Sequence, residues 1–381
     1  MPFPDWTDSE LDRRGASSTV REIAQQPAVW AQALAALDRD DSLRRFVEAQ
    51  LRTPGLRVVL TGAGTSAFIG ECLAPAIGFA RGRRVEAVAT TDIVAAPQRC
   101  LARDVPTLLV SFARSGNSPE SVAAVQLADR FVADCRHLVI TCNRDGELAR
   151  EMARRDATTC VAVVLPDATH DRGFAMTSSF TTMLLAAARC FDAVPHVDAL
   201  VAAGAQLVDQ APVQTSAWVG RFDRVVYLGA SELKGLAREA ALKLLELSDG
   251  RVASFFDTPL GFRHGPKTLV NESTLVVLFV SSDAHARRYD LDLLRELRAD
   301  GRAGKVVAIG APGVDLPPGA NTLALAGTQG LSDLELVPLY VLFAQWFAVQ
   351  QSLALGLTPD SPSVSGTVNR VVRGVTIHPV A

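Results

Sequence analysis

Three charged side chains stand at a spacing that could place an acid–base pair on one helix. Glu239, Lys243 and Glu246 occupy positions i, i+4 and i+7 of a leucine-rich stretch, so a helix there would carry all three on one face. A carboxylate held beside an ammonium group in a cleft can move a proton between adjacent carbons. The alternative is a solvent-exposed Glu–Lys ladder, which would contribute only about 0.2–0.5 kcal/mol per pair. The small polar surface of the stretch predicts that most of the helix is buried.

One histidine lies among glycines and a proline. His264 occurs in the segment Gly261-Phe-Arg-His-Gly-Pro-Lys267, whose composition favours a rigid, close-packed loop. An imidazole titrates near neutral pH, so it could act as acid and base in opening a sugar ring. A purely structural histidine is the alternative. The other five histidines are scattered, and His170-Asp171 has no further ligands nearby in the sequence, so no metal site is predicted.

Small hydroxyl residues follow a predicted strand and precede a predicted helix. Ser115, Gly116 and Ser118 stand before Pro119, which suits the first position of a helix. Backbone N–H groups and serine hydroxyls at such a turn would converge on one point and suit a phosphate, and Arg114 could add positive charge. Alternatively, Ser118 is a plain helix N-cap. The matching loop of the second half, 280–287, lacks the Ser-Gly-x-Ser arrangement, so only the first half is expected to bind phosphate.

A glycine-containing turn follows the first predicted strand. The run Gly62-Ala-Gly64-Thr65-Ser66-Ala67 matches the G-x-G-x-x-A pattern of dinucleotide folds, but the next strand candidate ends in threonines. A ribose-binding site would need an acidic residue there. The pattern favours a tight turn at the carboxyl edge of a sheet, at which Thr65 and Ser66 offer hydroxyls to a polar ligand. A simple strand-to-helix turn is the remaining alternative.

The two halves of the sequence contain the same series of predicted strands. The β-prone run that ends at Gly62 is matched by one that ends at Gly229, an offset of 167 residues. Two later strand candidates, at 107–111 and 138–141, recur at the same offset. Helical stretches alternate with these strands, which predicts parallel sheets covered by helices.

The predicted fold class is therefore α/β, with two tandem doubly wound parallel-sheet domains. We expect a helical arm at 1–44, a first domain at 45–200 that binds phosphate, a second domain at 210–355 that carries the acid–base residues, and a C-terminal tail at 356–381 that docks near the site.

The composition limits the classes to which the chain can belong. Of 381 residues, 48% are apolar and 21% are charged, and 38 basic against 41 acidic side chains give a net charge of −3. This excludes a disordered protein and gives no electrostatic footprint for nucleic acid. Six cysteines without a C-x-x-C pair predict reduced thiols. The start lacks a signal-peptide pattern and glutamines interrupt the apolar stretch 337–355, so we expect a cytoplasmic protein whose stretch forms a buried helix rather than a membrane span.

Five motifs, in order, resemble the tandem form of the sugar isomerase (SIS) domain family, over roughly residues 20–377. They are Gly64-Thr-Ser66, Ser115-Gly-x-Ser118, Met176-Thr-Ser-Ser-Phe-Thr-Thr182, Glu239-x-Ala-Leu-Lys-x-x-Glu246 and His264-Gly-Pro266. The chain is most similar to the AgaS type, which is called tagatose-6-phosphate ketose/aldose isomerase or galactosamine-6-phosphate deaminase. It also resembles the isomerase half of glucosamine-6-phosphate synthase.

The resemblance implies roles for individual residues. Phosphate contacts would come from Ser115 and Ser118 with Arg114 beside them, and contacts to the sugar pocket from Thr65, Ser66 and Thr177. Glu246 would shuttle a proton between C1 and C2 with Lys243 as its partner, and His264 would open the ring. In these relatives the histidine comes from the other subunit of a homodimer. Where the synthase has a tail lysine, this chain has Arg373, and arginine is a poor imine former because it stays protonated.

The resemblance also implies a reaction. We expect a homodimeric or larger enzyme, without metal or cofactor, that converts a hexosamine 6-phosphate, with galactosamine 6-phosphate favoured, to a ketose 6-phosphate and ammonia. Simple isomerisation of an aldose or ketose 6-phosphate is one alternative, because the same proton transfer serves both reactions. A non-catalytic regulator that senses sugar phosphates is another.

Overall fold

The described residues form two compact units, each built around one sheet. The computed structural model describes residues 6–220, 222–319, 321–366, 368–370 and 374–380. The first-sheet unit comprises residues 29–171, 178–195 and those from 368 onward. The second-sheet unit comprises residues up to 28, 172–177 and 196–367.

Helices and strands alternate along most of the chain. In chain order they are α1 (Asp8–Arg13), α2 (Ser17–Ala24), α3 (Gln26–Asp38), α4 (Asp41–Leu51), β1 (Arg57–Thr61), α5 (Thr65–Arg81), β2 (Arg84–Ala87), α6 (Thr90–Ala95), α7 (Pro97–Cys100), β3 (Thr107–Ala113), α8 (Pro119–Phe131), β4 (Cys135–Thr141), α9 (Glu147–Met152), β5 (Cys160–Val164), α10 (Ser178–Cys190), α11 (Val197–Thr215), β6 (Arg224–Leu228), α12 (Glu232–Leu247), β7 (Ala253–Asp257), α13 (Pro259–Phe262), β8 (Thr274–Phe279), α14 (Ala284–Asp300), β9 (Lys305–Gly310), β10 (Thr322–Ala324) and α15 (Asp333–Ala354).

Both sheets are parallel and have the same strand order. The first sheet runs β2-β1-β3-β4-β5, and the second runs β7-β6-β8-β9-β10 from the corresponding edge. Every residue of the central strands β1, β3 and β8 is buried, as expected for strands covered by helices on both faces. The predicted α/β fold class with two tandem doubly wound sheets is confirmed.

Strand register reproduces the repeat offset at the centre of each sheet. Arg57 pairs with Thr107 in the first sheet, and Arg224 pairs with Thr274 in the second, so both partners are displaced by 167 residues. The next strand departs from this offset. Val110 pairs with Leu138, whereas the equivalent residue Val277 pairs with Val307, two residues beyond the predicted match at Lys305. The third sequence match was therefore wrong by two residues.

The turn after the first strand of each sheet requires glycine. A Cβ atom at Gly62 would collide with the backbone of Ser66, and one at Gly229 would collide with that of Leu233. Two residues later the backbone has a positive φ, +55° at Gly64 and +49° at Ser231. The close approach of helix to strand explains why both β-prone runs end in glycine.

The helix α15 forms the core of the second-sheet unit, where it packs against α11 and α12. It is long and apolar enough to cross a membrane, but 94% of its apolar window is buried inside the protein. Its glutamines have internal partners: Gln350 Nε2 donates to the carbonyl of Pro212 at 2.7 Å, and Gln351 Oε1 accepts from the N–H of Gly220 at 2.8 Å. The prediction of a buried helix over 337–355 is confirmed.

The segments outside the sheets are helical before β1 and irregular after α15. The helices α1–α3 occupy residues 8–38, and α4 begins at Asp41. The described residues after Ala354 form neither helix nor strand. The domain boundaries expected from the sequence stay predictions.

Candidate active site

Two hydroxyl-bearing turns lie at one edge of the first sheet. The strand order reverses between β1 and β3, and open α/β sheets bind ligands outside the carboxyl ends of the strands at such a switch point. Thr65 and Ser66 form the first turn of α5, directly after β1. Ser115 and Ser118 follow the carboxyl end of the neighbouring strand, β3. The sheet thus brings both predicted turns to its switch point.

The serine loop, residues 114–118, is held by the segment that follows β4. The carbonyl of Ser115 accepts a hydrogen bond from Asn143 Nδ2 at 2.8 Å, and the carbonyl of Gly116 accepts one from the N–H of Leu148 at 3.1 Å. Gly116 has a φ of +66°, and a Cβ atom there would lie 3.3 Å from Gly146 Cα. The loop conformation is therefore fixed without any ligand.

The serine hydroxyls of this loop do not cap the helix. Ser118 occupies the N-cap position of α8, but its side chain accepts no capping hydrogen bond from the helix backbone. Its hydroxyl instead donates to Ser121 Oγ at 2.6 Å. The plain N-cap alternative does not describe this side chain.

The other residues expected to contact the sugar are buried. Thr65 and Ser66 are about 5% exposed or less, and Thr177 is fully buried in the second-sheet unit. The carbonyl of Thr177 accepts a hydrogen bond from Gln345 Nε2 at 3.5 Å. Thr177 therefore has a backbone contact to the core helix α15 besides any role in a pocket.

Arg114 is buried and contacts the C-terminal tail. It is 7% exposed, and its Nη2 donates to the carbonyl of Arg370 at 2.6 Å. The guanidinium of Arg370 donates to the carbonyl of Asp171. Sequence reasoning missed Arg370, because no local pattern marks it. Arg373, the tail residue that the sequence favoured, lies outside the described residues.

The helix α12 carries a charged cluster of one lysine and two glutamates. Lys243 Nζ lies 2.5 Å from Glu246 Oε2 and 3.4 Å from Glu239 Oε1. The side chains of Lys243 and Glu239 are fully buried, whereas that of Glu246 is 24% exposed. The solvent-exposed ladder is therefore wrong, and the prediction of a mostly buried helix is confirmed.

This burial pattern distinguishes the two carboxylates. A buried ammonium group is tolerated in a protein interior only when it is paired, and two carboxylates flank Lys243. Glu239 is enclosed with the lysine, while Glu246 reaches the surface of the unit. Glu246 is consequently the carboxylate of this cluster that can meet a ligand and exchange a proton with it.

His264 is exposed on a loop that ion pairs hold in place. Arg263 pairs with Glu296 of α14 at 2.8 Å, and Lys267 pairs with both Glu296 and Asp300, the latter at 2.5 Å. Gly265 has a φ of +127°, which only glycine adopts readily. His264, Gly265 and Pro266 are all exposed, so the expectation of a close-packed loop was wrong, because ion pairs at its two ends rather than packing hold it.

The switch point of the second sheet differs from that of the first. There the hydroxyl and the N–H of Ser282 donate to Asp333 Oδ1 at 2.8 and 2.6 Å, and the hydroxyl of Ser281 donates to Asp333 Oδ2. The N–H of Ser281 donates to Asp290 Oδ2 at 2.9 Å. Burial, with a further contribution from Asp333, raises the pKa of Asp290 to about 7. Two carboxylates of the chain, those of Asp333 and Asp290, therefore accept the hydrogen bonds that this loop donates.

A third group of polar side chains lies at the amino end of β4. Ligand atoms of Asp129, Cys135 and His137 lie within 4.8 Å of one another. The carboxylate of Asp129 is already engaged by His137 Nε2 and by Arg155 Nη2, both at 2.7 Å. Burial raises the pKa of the Cys135 thiol to about 12, so the thiol is protonated. All six cysteines are free thiols, as predicted.

The chain is similar to proteins of known classification. The SIS domain family model matches residues 50–191. A D-galactosamine-6-phosphate deaminase AgaS of Escherichia coli is 47% identical over 372 residues, which cover 95% of each protein. Another of the same name, from Shewanella sp. (strain ANA-3), is 41% identical over 384 residues, which cover 97% of this chain and 94% of that protein.

A solved structure extends the likeness to three dimensions. The crystal structure of tagatose-6-phosphate ketose/aldose isomerase from Escherichia coli has 44% sequence identity and a TM-score of 0.87, and the match covers 95% of this chain and 97% of that one. Identity at this level over nearly the whole length is shared by members of one family. The chain belongs to the AgaS family of SIS-domain proteins.

Proposed function

We propose that this protein is an amino-sugar phosphate deaminase that converts galactosamine 6-phosphate to the ketose 6-phosphate and ammonia. Two relatives that are 47% and 41% identical carry the name of that activity. The observation that carries the proposal is the charged cluster of α12, in which a buried ammonium group orients a partly exposed carboxylate. That arrangement suits proton transfer between neighbouring carbons.

The proposed reaction consumes one water and releases one ammonia. His264 assists ring opening, which exposes the C1 aldehyde. Glu246 transfers the proton from C2 to C1, and one N–H proton of the amine passes to the C1 oxygen, so the C1 carbonyl becomes an alcohol and the C2 amine becomes an imine. Water adds to C2, the carbon–nitrogen bond breaks, and a C2 ketone remains. Lys243 positions Glu246 through the contact of 2.5 Å.

The phosphate group would be held by the serine loop. We assign Ser115 and Ser118 as its hydroxyl ligands, with Arg114 supplying positive charge. Contacts to the sugar hydroxyls are proposed for Thr65, Ser66 and Thr177, and a contact to the substrate is proposed for Arg373. Binding energy from the remote phosphate orients the carbons that react.

Isomerisation without deamination is the second candidate. The relative with the solved structure is named a tagatose-6-phosphate ketose/aldose isomerase and is 44% identical to this chain. With a hydroxyl in place of the amine at C2, the same proton transfer gives an aldose–ketose exchange. The two candidates therefore share Glu246 and differ in the substituent at C2.

A homodimer in which His264 acts on the other subunit's substrate completes the proposal. Exposed apolar side chains occur in the segment that leads to His264: Phe255 and Phe256 lie on the edge strand β7, and Leu260 lies four residues before the histidine. An apolar exposed edge favours association with another chain. Mixing inactive Glu246→Gln and His264→Asn chains should restore part of the activity, and no restoration would contradict the shared site.

We also propose a cytoplasmic location, consistent with six free thiols.

Purified protein incubated with three substrates tests the function. Galactosamine 6-phosphate, glucosamine 6-phosphate and tagatose 6-phosphate are compared by assays for ammonia and for sugar interconversion. We expect ammonia from galactosamine 6-phosphate at the highest rate. Interconversion of tagatose 6-phosphate without any ammonia release favours the isomerase. Tight binding without turnover of any substrate favours a sensor and contradicts the proposal.

A further inference from the structure

A carboxylate, a thiol and an imidazole lie together at the amino end of β4. Asp129 belongs to α8, and Cys135 and His137 are two positions apart on β4, so the thiol and the imidazole project from the same face of the first sheet. One ligand atom from each of the three residues lies within 4.8 Å of the other two. Two atoms bound to the same Zn²⁺ are less than about 4.6 Å apart, because its bonds to oxygen, nitrogen and sulfur are about 2.0–2.3 Å long. Small side-chain movements would therefore bring all three atoms onto one ion.

The imidazole of His137 is not saturated by the fold. Its side chain is 1% exposed, and its Nε2 lies 2.7 Å from Asp129 Oδ1. The other ring nitrogen, Nδ1, is buried and has no hydrogen-bond partner among the residues that the structure describes. Buried polar atoms are nearly always paired, whether with the protein, with water or with an ion. The unpaired nitrogen indicates that this imidazole has capacity for a further partner.

The charges around the three side chains cancel when a divalent ion is added. Asp129 Oδ2 accepts a hydrogen bond from Arg155 Nη2 at 2.7 Å, and Arg155 also pairs with Glu151. A bound Zn²⁺ displaces the proton of the Cys135 thiol to solvent, so the thiolate and the Asp129 carboxylate supply two negative charges to the ion. Arg155 keeps its contacts with Asp129 Oδ2 and with Glu151. No ion pair of this group has to break for the metal to bind.

A metal ion can reach this place from solvent, at a distance from the serine loop. The side chain of Asp129 is 37% exposed, and Cys135 is half-buried. Cys135 and His137 lie at the amino end of β4, whereas the serine loop follows the carboxyl end of the neighbouring parallel strand β3. The two places are therefore at opposite edges of the first sheet.

We propose that Asp129, Cys135 and His137 bind one Zn²⁺ ion, which fastens α8 to β4 and leaves its fourth coordination position to water. A donor set of oxygen, nitrogen and sulfur is typical of Zn²⁺, whereas Mg²⁺ and Ca²⁺ take oxygen ligands. The ion stabilises the first-sheet unit and takes no part in the proposed deamination. The inference is therefore independent of the proposed function.

Cobalt, which takes the place of zinc in tetrahedral sites, reports the sulfur ligand directly. The full chain, freed of metal by a chelator, is titrated with Co²⁺. The wild type should develop a thiolate-to-cobalt charge-transfer band that saturates at one ion per chain, and added Zn²⁺ should remove the band by competition. Cys135→Ser should lack the band, and Asp129→Asn should bind Zn²⁺ about 100-fold more weakly than the wild type.

Cys100→Ser is the matched control. Cys100 is also a partly buried thiol of the first-sheet unit, but its Sγ donates to the carbonyl of Asp92 at 3.6 Å and it lies outside the cluster. The cobalt band and the Zn²⁺ affinity of Cys100→Ser should equal those of the wild type. Melting temperatures measured without metal verify that every variant is folded.

Thermal unfolding supplies a second readout. Saturating Zn²⁺ should raise the melting temperature of the wild type and of Cys100→Ser and leave that of Cys135→Ser unchanged, because only an ion bound to the folded state stabilises it. Absence of the cobalt band in the wild type, a band retained by Cys135→Ser, or equal losses in Cys135→Ser and Cys100→Ser would each overturn the inference. A Zn²⁺-induced rise in the melting temperature of Cys135→Ser as large as that of the wild type would also overturn it.

Discussion

The switch-point loops of the two sheets begin from the same geometry and end with opposite charge. Ser115 follows β3 and Ser282 follows β8, at the offset of 167 residues that relates the central strands. The first loop carries the guanidinium group of Arg114, whose Nη2 donates to the carbonyl of Arg370 at 2.6 Å. In the second loop, the hydroxyl and N–H of Ser282 already hold the carboxylate of Asp333.

In the second loop, the hydroxyl and N–H donors are satisfied by a carboxylate of the chain itself. Asp333 opens α15 and reaches back to Ser281 and Ser282, so the donors of the second loop are satisfied internally. The first loop is fixed by contacts to its carbonyls, through Asn143 and Leu148. Its hydroxyls bond within the turn, since Ser118 Oγ donates to Ser121 Oγ and Ser115 Oγ accepts from the N–H of Asn117. The second turn is thus satisfied by a carboxylate of the chain itself, whereas the first is the proposed phosphate site.

The largest effect on turnover should come from removing the proposed base, Glu246. This substitution distinguishes the two units, because it should suppress the reaction in the second-sheet unit and leave phosphate binding in the first-sheet unit unchanged. Glu246→Gln keeps the shape of the side chain but cannot accept the C2 proton, so ammonia release from galactosamine 6-phosphate should fall about 10²- to 10⁴-fold. Affinity for inorganic phosphate should stay that of the wild type. Glu246→Asp, which keeps the charge but shortens the reach, should be intermediate. Turnover of Glu246→Gln within tenfold of wild type would remove Glu246 from the mechanism.

The features that the sequence predicted are those encoded by nearby residues. The glycine ends of β1 and β6 follow from the close approach of helix to strand at Gly62 and Gly229. The cluster of Glu239, Lys243 and Glu246 follows from the helical period. Local periodicity and turn chemistry are sufficient for both.

The features that were missed depend on contacts between distant residues. Ser282 meets Asp333 across 51 positions, and Arg114 meets Arg370 across 256. No spacing rule links such pairs, because tertiary packing alone brings them together. The register of β9 was also missed. Successive valines make the strand sequence repetitive, and a shift of two residues leaves the same side chains on the same face of the sheet, so the sequence does not distinguish the two registers.

The carboxylate of Asp290, which accepts a hydrogen bond from the second loop, should make the free energy of unfolding depend on pH. Asp290 has an ordinary pKa of 3.8, and burial raises it to about 7 in the folded protein, with a further contribution from Asp333. The folded state therefore binds more protons than the unfolded state between these values, so this contribution to stability is largest below pH 4 and falls as pH rises to about 7. The total loss is at most about 4 kcal/mol, since one pKa unit corresponds to about 1.4 kcal/mol.

Asp290→Asn removes that dependence and keeps an acceptor for the N–H of Ser281. Urea unfolding at pH 5, 6, 7 and 8 should show the variant gaining stability relative to the wild type as pH rises. No comparable trend is expected for Asp283→Asn, because the carboxylate of Asp283 is exposed and backbone N–H groups lower its pKa. Parallel stability curves for wild type and Asp290→Asn would show that the carboxylate of Asp290 is not held in its protonated form.

Paired serine substitutions give the smallest effect and the most direct test of the comparison between the two loops. Ser115→Ala removes a proposed phosphate ligand from the first loop, so KM for the sugar phosphate should rise about tenfold while unfolding is unchanged. Ser282→Ala leaves the buried carboxylate of Asp333 without one donor at 2.8 Å, so the free energy of unfolding should fall by about 1–3 kcal/mol while KM is unchanged. Measuring both quantities in both variants makes each the control of the other. A loop whose donors already bind the carboxylate of Asp333 is not expected to bind an external phosphate. A rise in KM for Ser282→Ala equal to that for Ser115→Ala would therefore show that the second loop also takes part in substrate binding.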